Sequence, residues 1–385
     1  MGLFHIFKRN KKQEELNKDV QLVEEQHSTT DKNNMSSLGV LLEKMSSICG
    51  LDVNSLTEIT DSQILTQIDS VILAVGEIKN TANTVIEEIK DTYRMVFKKG
   101  TQAASFNKMT KTKKISEKMA DKSVLSANIS STVMAVAPMV VVQYYMNQVC
   151  TRLDLINESI SKVIDFLDVQ YKSRVASLME LVYNISKYQI SSIENEELRG
   201  RELDNVQRLR DVCQTLLNQA ETTLETLTCK NCPTFDNYEK TINEIGKWTQ
   251  YQTVLVKLLY QINILDFALH LGIKSKEQCF GSFDLHASKA ESIHTRLIDW
   301  HNAQCEALKI DLTEGRRKHT GALAWLNKPI GWINDNWNYQ SIDDKTVHMI
   351  KDQISEITNL SYSSENLFNE DVQIIIKDGK YYYLP

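Results

Sequence analysis

Glycine and proline are scarce in this chain. Together they supply 17 of 385 residues (Gly 13, Pro 4), about a third of the roughly 12% that an average protein carries. A chain with so few turn-formers does not build a β-sandwich, a propeller or a turn-rich dinucleotide-binding fold; long helices need the fewest turns. No uninterrupted apolar run of about 20 residues, the length that spans a bilayer, is present. A mean hydropathy of −0.32 argues against a polytopic membrane protein. A hydrophobic share of 42% against 24% charged residues argues against wholesale disorder. Cysteine gives no disulfide framework: the seven are an odd, scattered set (Cys49, Cys150, Cys213, Cys229, Cys232, Cys279, Cys305), as expected of a reducing compartment. The phosphate-cradling, dinucleotide, zinc-protease, nucleophile-elbow and calcium-loop patterns are all missing. Ser159-Ile-Ser-Lys162 matches SxxK without either partner motif and is read as coincidence. No catalytic residue and no cofactor is expected.

What is present is an uneven distribution of charge. Residues 1–12 hold Lys8, Arg9, Lys11 and Lys12 without an acid, and residues 98–122 hold eight lysines against Glu117 and Asp121. These stretches carry +4 and +6 of a formal net charge of −6, leaving −16 on the rest of the chain. That balance disfavours a general nucleic-acid surface. The N-terminal cations follow Met1, Leu3, Phe4, Ile6 and Phe7, a pattern that seats at an anionic membrane surface or forms a solubilising tip. The order of basic and apolar residues is not that of a secretory signal, so a cytoplasmic location is expected. Ile6 stands where a myristoylation motif needs Ser or Thr.

Apolar residues at steps of three and four (Ile64, Ile68, Val71, Val75, Ile78, Ala82, Val85, Ile89, then Val96) predict one long helix over about 55–98 with a narrow seam. A second run (Leu153, Ile156, Ile160, Val163, Leu167, Tyr171, Val175, Leu178, Val182, Ile185) predicts another over about 152–190. Further helices are expected over about 196–228, 236–272 and 284–311, with short ones near 38–49 and 343–359. Within the fourth long helix, Lys257 and Asp266 interrupt residues 253–273 and mark a core helix rather than a membrane span.

Residues 123–151 carry no charge, and residues 133–142 (Val-Met-Ala-Val-Ala-Pro-Met-Val-Val-Val) form a continuous apolar block. Pro138 either kinks a helix there or divides two. This segment is read either as a central bundle helix, as a dimerisation helix, or as a membrane-inserting element whose lysine-rich flank stays on the cytoplasmic side. Long helix, basic flank, uncharged segment and long helix over about residues 55–190 resemble the head-and-stalk layout of soluble α-helical pore-forming proteins, on architecture alone and with no shared motif. The resemblance implies an apolar element sheltered at one tip of two antiparallel helices. Membrane contact would then fall to Phe4, Phe7, Val133, Val136, Met139, Val140 and Val142, with Lys111, Lys113, Lys114 and Lys118 docking on anionic lipid.

Toward the end of the chain, Arg316-Arg-Lys-His319 precedes Trp325, Trp332 and Trp337, a composition suited to a helical cap or to a membrane interface. Asp378-Gly379, between two strand-like runs, predicts a β-hairpin that must dock on other structure. Two small constellations remain. Cys229-Lys-Asn-Cys232 has half the spacing of a zinc or redox site, with ordinary loop thiols as the alternative. His294, His301 and Cys305 fall within about 40° of one helix face, as a metal site or as hydrogen-bonded core groups.

The expected fold is mainly α: an elongated bundle of long amphipathic, coiled-coil-like helices with a small C-terminal β-hairpin. Residues 1–37 make a basic apolar tip and linker, 38–311 the bundle with the 123–151 segment, and 312–385 a Trp-rich cap and hairpin. The first functional reading is a membrane-associating, pore-forming or membrane-perturbing effector acting on an anionic membrane surface. The second is a coiled-coil scaffold with the apolar helix permanently buried, joining a second copy or a helical protein partner. No nucleic-acid partner is expected.

Overall fold

The computed structural model describes residues 56–78, 92–97, 104–109, 127–161, 169–187, 193–311, 316–318, 339–341, 366–377 and 379–385, with single positions 352, 357 and 360. The fold is mainly α. Six long helices are described: α1 (Ser62–Ile78), α2 (Ala127–Ser161), α3 (Val169–Ser186), α4 (Glu196–Leu227), α5 (Phe235–Leu269) and α6 (Lys276–Leu308).

Helix α5 is the axis of the bundle and touches α2, α3, α4 and α6. From Val254 to Leu269 nearly every side chain is buried, so the run of residues apolar on all sides is satisfied by neighbours on all sides. Its start is fixed by Thr234, whose hydroxyl accepts the Asn237 amide at 3.3 Å. Helix α4 begins at Asn195, which accepts the amides of Glu197 and Leu198, and Glu196 and Glu197 place negative charge at its positive end. The apolar stripe expected of residues 196–228 runs Leu203, Val206, Leu209, Cys213, Leu216, Ala220, Leu224 and Leu227; all but the half-buried Leu203 are buried. On α3, Tyr171, Val175, Leu178, Val182 and Ile185 are buried likewise, and the Tyr171 hydroxyl donates to the Leu216 carbonyl of α4 at 2.7 Å. A capping box of Ser275 and Gln278 opens α6, and Lys309 closes it in the left-handed region at φ 56°.

The uncharged segment is part of a helix packed within the bundle. It does not form a tip between two stalks. Helix α2 runs unbroken through Pro138 and on to Ser161, so the expected helix over 152–190 is instead the end of α2 followed by α3. Val136, Met139, Val140, Val141, Val142, Tyr145, Met146 and Val149 are buried in the same core as α5. The physical reason is mutual: a helix without a polar face finds its apolar surroundings against another such helix and a sheet.

The expected helix over 55–98 is also corrected. Helix α1 covers Ser62–Ile78, with Asp61 accepting the amides of Gln63 and Ile64, while Thr92–Phe97 is strand β2. Val96 therefore belongs to a period of two, in which Met95 and Phe97 are buried and Val96 is half-buried. Thr-Tyr-Arg-Met-Val-Phe is rich in β-formers, and the partner strand lies almost 280 residues further along, beyond the reach of local pattern.

That sheet has five strands in the order β1-β7-β6-β2-β3. Strand β1 is Thr57–Glu58, β3 is Ala104–Met109, β6 is Val372–Lys377 and β7 is Lys380–Leu384. Every neighbouring pair is antiparallel. The expected hairpin is β6–β7, with Lys377 opposite Lys380 and Gly379 at φ +73°, where a residue without Cβ is favoured. The hairpin thus docks between strands from the first third of the chain. Arg316–Lys318, expected in a helical cap, forms strand β4, paired with β5 (Tyr339–Ser341). The tryptophans at 325, 332 and 337 and the expected helix near 38–49 lie outside the described residues.

At the α5–α6 turn, Leu271 and Gly272 both take positive φ, 52° and 71°. A Cβ on Gly272 would stand 2.7 Å from the Phe368 Cβ, within a short 3₁₀ turn, Leu367–Asn369. Asn366 Nδ2 donates to the Gly272 carbonyl at 3.3 Å. Gly272→Ala is therefore expected to lower stability by about 1–3 kcal/mol. Gly200→Ala, inside α4 with nothing within 4 Å of the added Cβ, should raise it by about 0.5–1 kcal/mol. Urea denaturation of both variants, followed by circular dichroism, checks the opposite signs.

Candidate functional site

Three polar clusters join the helices inside the bundle. The first centres on Asp266 of α5, whose side chain is 6% exposed. Arg210 of α4 and Lys274 of the α5–α6 turn each bring a nitrogen to 2.8 Å from its Oδ2. Arg210 also donates through Nε to Asn263 Oδ1 at 3.1 Å and through a terminal nitrogen to Gln207 at 2.7 Å. Burial acts to raise the Asp266 carboxyl, but the hydrogen bonds and charges of Lys274 and Arg210 outweigh it and hold the group below the usual carboxylate range. Beside it, burial and then the Asp266 charge push the Cys279 thiol up to about 12.

The second cluster is Glu221 of α4, fully buried. His286 Nδ1 lies 2.9 Å from one oxygen and Lys289 Nζ 2.9 Å from the other, so two basic residues of α6 fasten it to α4. The third surrounds Tyr238 of α5. Its hydroxyl is 2.7 Å from His301 Nδ1 and 3.5 Å from Cys305 Sγ, and Trp300 stacks on its ring with centroids 5.7 Å apart. Burial, reinforced by Cys305, pushes the phenol well above its ordinary range.

The sequence-singled residues divide among these places. His301 and Cys305 belong to the Tyr238 cluster and are buried, whereas His294, half-buried, is not among its members. Cys229 is exposed and Cys232 buried; Cys232 Sγ lies 3.6 Å from the Thr241 hydroxyl and its amide donates to Gln304. Among the described residues no group of three or more His, Cys, Asp and Glu side chains is placed to hold a metal ion. Of the membrane-contact candidates, Val136, Met139, Val140 and Val142 are in the core. The backbone of Val133 lies in α2, while its side chain and the residues Phe4, Phe7, Lys111, Lys113, Lys114 and Lys118 fall outside the described residues. Among the described residues no helix is long and apolar enough to cross a membrane.

Sequence reading missed the partners of Arg210, Glu221 and Asp266. Asp266 could be flagged, as a charge within an apolar helix. Arg210 and Glu221 each sit one residue beyond the α4 stripe, after Leu209 and Ala220, and nothing local distinguishes them from solvent-facing charges.

On the surface, a groove of about 320 Å³ opens between α2 and α3, lined by Leu153, Asp154, Asn157, Ala176, Met179, Glu180 and Tyr183. Leu153 and Met179 give it an apolar floor, and Asp154 and Glu180 are solvated. Its lining contains no histidine, cysteine or lysine and so holds no nucleophile–base pair of the kind acyl transfer uses. Asp266, Glu221 and Tyr238, in contrast, are buried between packed helices and act as interhelical ties.

No protein-family model, curated protein or solved structure matches this chain.

Asp266→Ala leaves Arg210 buried beside an uncompensated site and is expected to cost about 3–5 kcal/mol. Because the folded carboxyl titrates below its unfolded value, its contribution is present above the unfolded pKa of about 3.9 and is lost as pH falls through the lower folded value. The unmodified chain should therefore lose stability below about pH 4 more steeply than the variant. Urea midpoints measured from pH 6 down to pH 3 test the difference.

Proposed function

We propose that the protein is a helical scaffold that works by binding a protein partner, with its apolar helix α2 serving as packing core. The observation that carries this reading is the placement of Val136, Met139, Val140, Val141, Val142 and Val149 in one core with α5 and the sheet. Each such side chain contributes about 1.5–3 kcal/mol by leaving water. An apolar stretch committed in this way supports the fold first. The interhelical ties at Asp266, Glu221 and Tyr238 support the same reading, since each joins side chains of two helices.

A second reading, membrane association, is favoured by the +6 charge of residues 98–122 and by the apolar residues ahead of Lys8. In that reading the lysines hold the protein to anionic lipid by charge.

Sedimentation with dye-loaded anionic liposomes separates the two. For the scaffold, the unmodified protein is expected to release no dye and to retain no liposomes at high salt, where surface charge is screened. The variant carrying Val136→Asp and Val140→Asp is expected to unfold or aggregate, because unpaired carboxylates in a core cost more than about 4 kcal/mol. Salt-resistant binding with dye release by the unmodified protein, or a stably folded double variant, would overturn the reading.

A further inference from the structure

Helices α2 and α3 pack side by side near the end of α2, where the Cys150 thiol and the Ser186 hydroxyl meet at 3.1 Å. One side of this pair rests on α5: Leu153 and Ile156 of α2 and Val175, Leu178 and Val182 of α3 are buried in the main core. The solvent side carries the groove of about 320 Å³ floored by Leu153 and Met179, with Asp154, Asn157, Ala176 and Glu180 exposed around it. A groove between two packed helices is the seat that a third helix takes. Along α3 the lining runs from Ala176 to Tyr183, about 10 Å of helix, which matches about two turns of an occupant. Val169, 76% exposed, stands two turns before Ala176 on the same face of α3 and continues the apolar line.

The charges around the groove set the sign of that occupant. Asp154 stands on the α2 bank and Glu180 on the α3 bank. Of the neighbouring cations, Arg152 lies over the Tyr260 ring of α5, 5.4 Å from its centroid. Lys187 lies over the Tyr183 ring at 4.1 Å, a favourable place for an ammonium. The bond to Tyr183, with the Asp154 charge adding to it, raises the Lys187 ammonium above the ordinary lysine range. One end of the groove thus already takes an amphipathic cation from its own chain. Two carboxylates face that single ammonium.

We infer that this groove is the partner-binding surface of the scaffold and that its occupant is a basic amphipathic helix of another protein. Apolar residues of the occupant at i, i+3 and i+7 would cover Leu153, Ala176 and Met179, and its lysines or arginines would meet Asp154 and Glu180. The methyl side chain of Ala176 leaves room for a helix backbone to come close. A second copy docked by the same face would set Asp154 and Glu180 against their equivalents, and like charges opposed across an interface are unfavourable. The inference rests on the scaffold reading and adds to it the surface and the chemistry of the partner.

Fluorescence anisotropy of the full chain with labelled synthetic peptides of about 15 residues tests it. The first peptide carries leucine at i, i+3, i+4 and i+7 with lysine on its flanks; in the second glutamate replaces lysine, and in the third serine replaces leucine. The first is expected to bind at least about tenfold more tightly than either of the others. Ala176→Trp, which fills the groove without changing its charge, and Glu180→Lys, which reverses one bank, should each weaken that binding at least about tenfold. Asp299→Lys, an equal change of charge at an exposed position of α6, should leave it within about twofold. No binding of the first peptide, equal binding of the serine peptide, or binding unaltered by both groove variants would overturn the groove as the site. Preference for the glutamate peptide would overturn the basic assignment. A dimer of the unmodified chain that Ala176→Trp dissociates would make the occupant a second copy and overturn the assignment to another protein. Should Ala176→Trp fail to fold, Glu180→Lys, at a solvated position, decides with the peptide comparison. The assay contains no lipid, so its failure is separate from failure of the scaffold reading, which the liposome experiment reads.

Discussion

Between Val254 and Leu269 every side chain of helix α5 except Lys257 is buried, and the architecture follows from that constraint. A helix of this kind must be surrounded, and α2, α3, α4 and α6 surround it. Helix α2 brings the same requirement to its own middle, residues 136–149. Two such helices satisfy each other along one side only. The remaining side of α2 takes α1 and the sheet, which explains why a largely helical chain contains five strands in a place where none is needed to complete the helical bundle.

Burial on this scale makes the few interior charges decisive. Asp266 sits in the middle of the constraint, and it is tolerated because Arg210 and Lys274 reach the same oxygen. Glu221 solves the same problem with His286 and Lys289. Such pairs add little net stability over apolar residues of equal size, but removing one partner is costly. Their consequence is registration: α4 is fastened to α5 at one level and to α6 at another, so none of the three can slide along its stripe without stranding a charge.

Much of the helical part was legible because its information is local. The stripe from Val206 to Leu227 and that from Tyr171 to Ile185 repeat at 3.6 residues, and these residues are the buried faces observed. The hairpin was legible from Asp378-Gly379 for the same reason. Failure came where the decision was made far away. Ile64, Ile68 and Val71 do lie on a buried helix face, but extending the pattern to Val96 joined a helix to a strand whose partner is β6. The placement of the apolar segment was likewise non-local: nothing within its ten apolar residues names α5 and the sheet as the surfaces they pack against. The Arg210–Asp266 and Glu221–His286 pairs bridge 56 and 65 positions, and helical periodicity holds no signal over such distances.

The order of the chain adds a final constraint. Helices α2 to α6 and strands β1 to β3 all precede residue 372, yet the sheet between β1 and β2 is completed only by β6 and β7. Any assembly that proceeds from the N-terminus must hold the sheet side of α2 open until the last fourteen residues arrive. Long-range pairing of this sort is slow, since loop closure precedes the contacts that reward it. The α4–α5–α6 core, made from neighbouring helices and short turns, has no such delay. The two parts of the fold therefore differ in how they are closed: one by helices contiguous in sequence and tied by interior charges, the other across almost the whole chain by backbone pairing and aromatic packing.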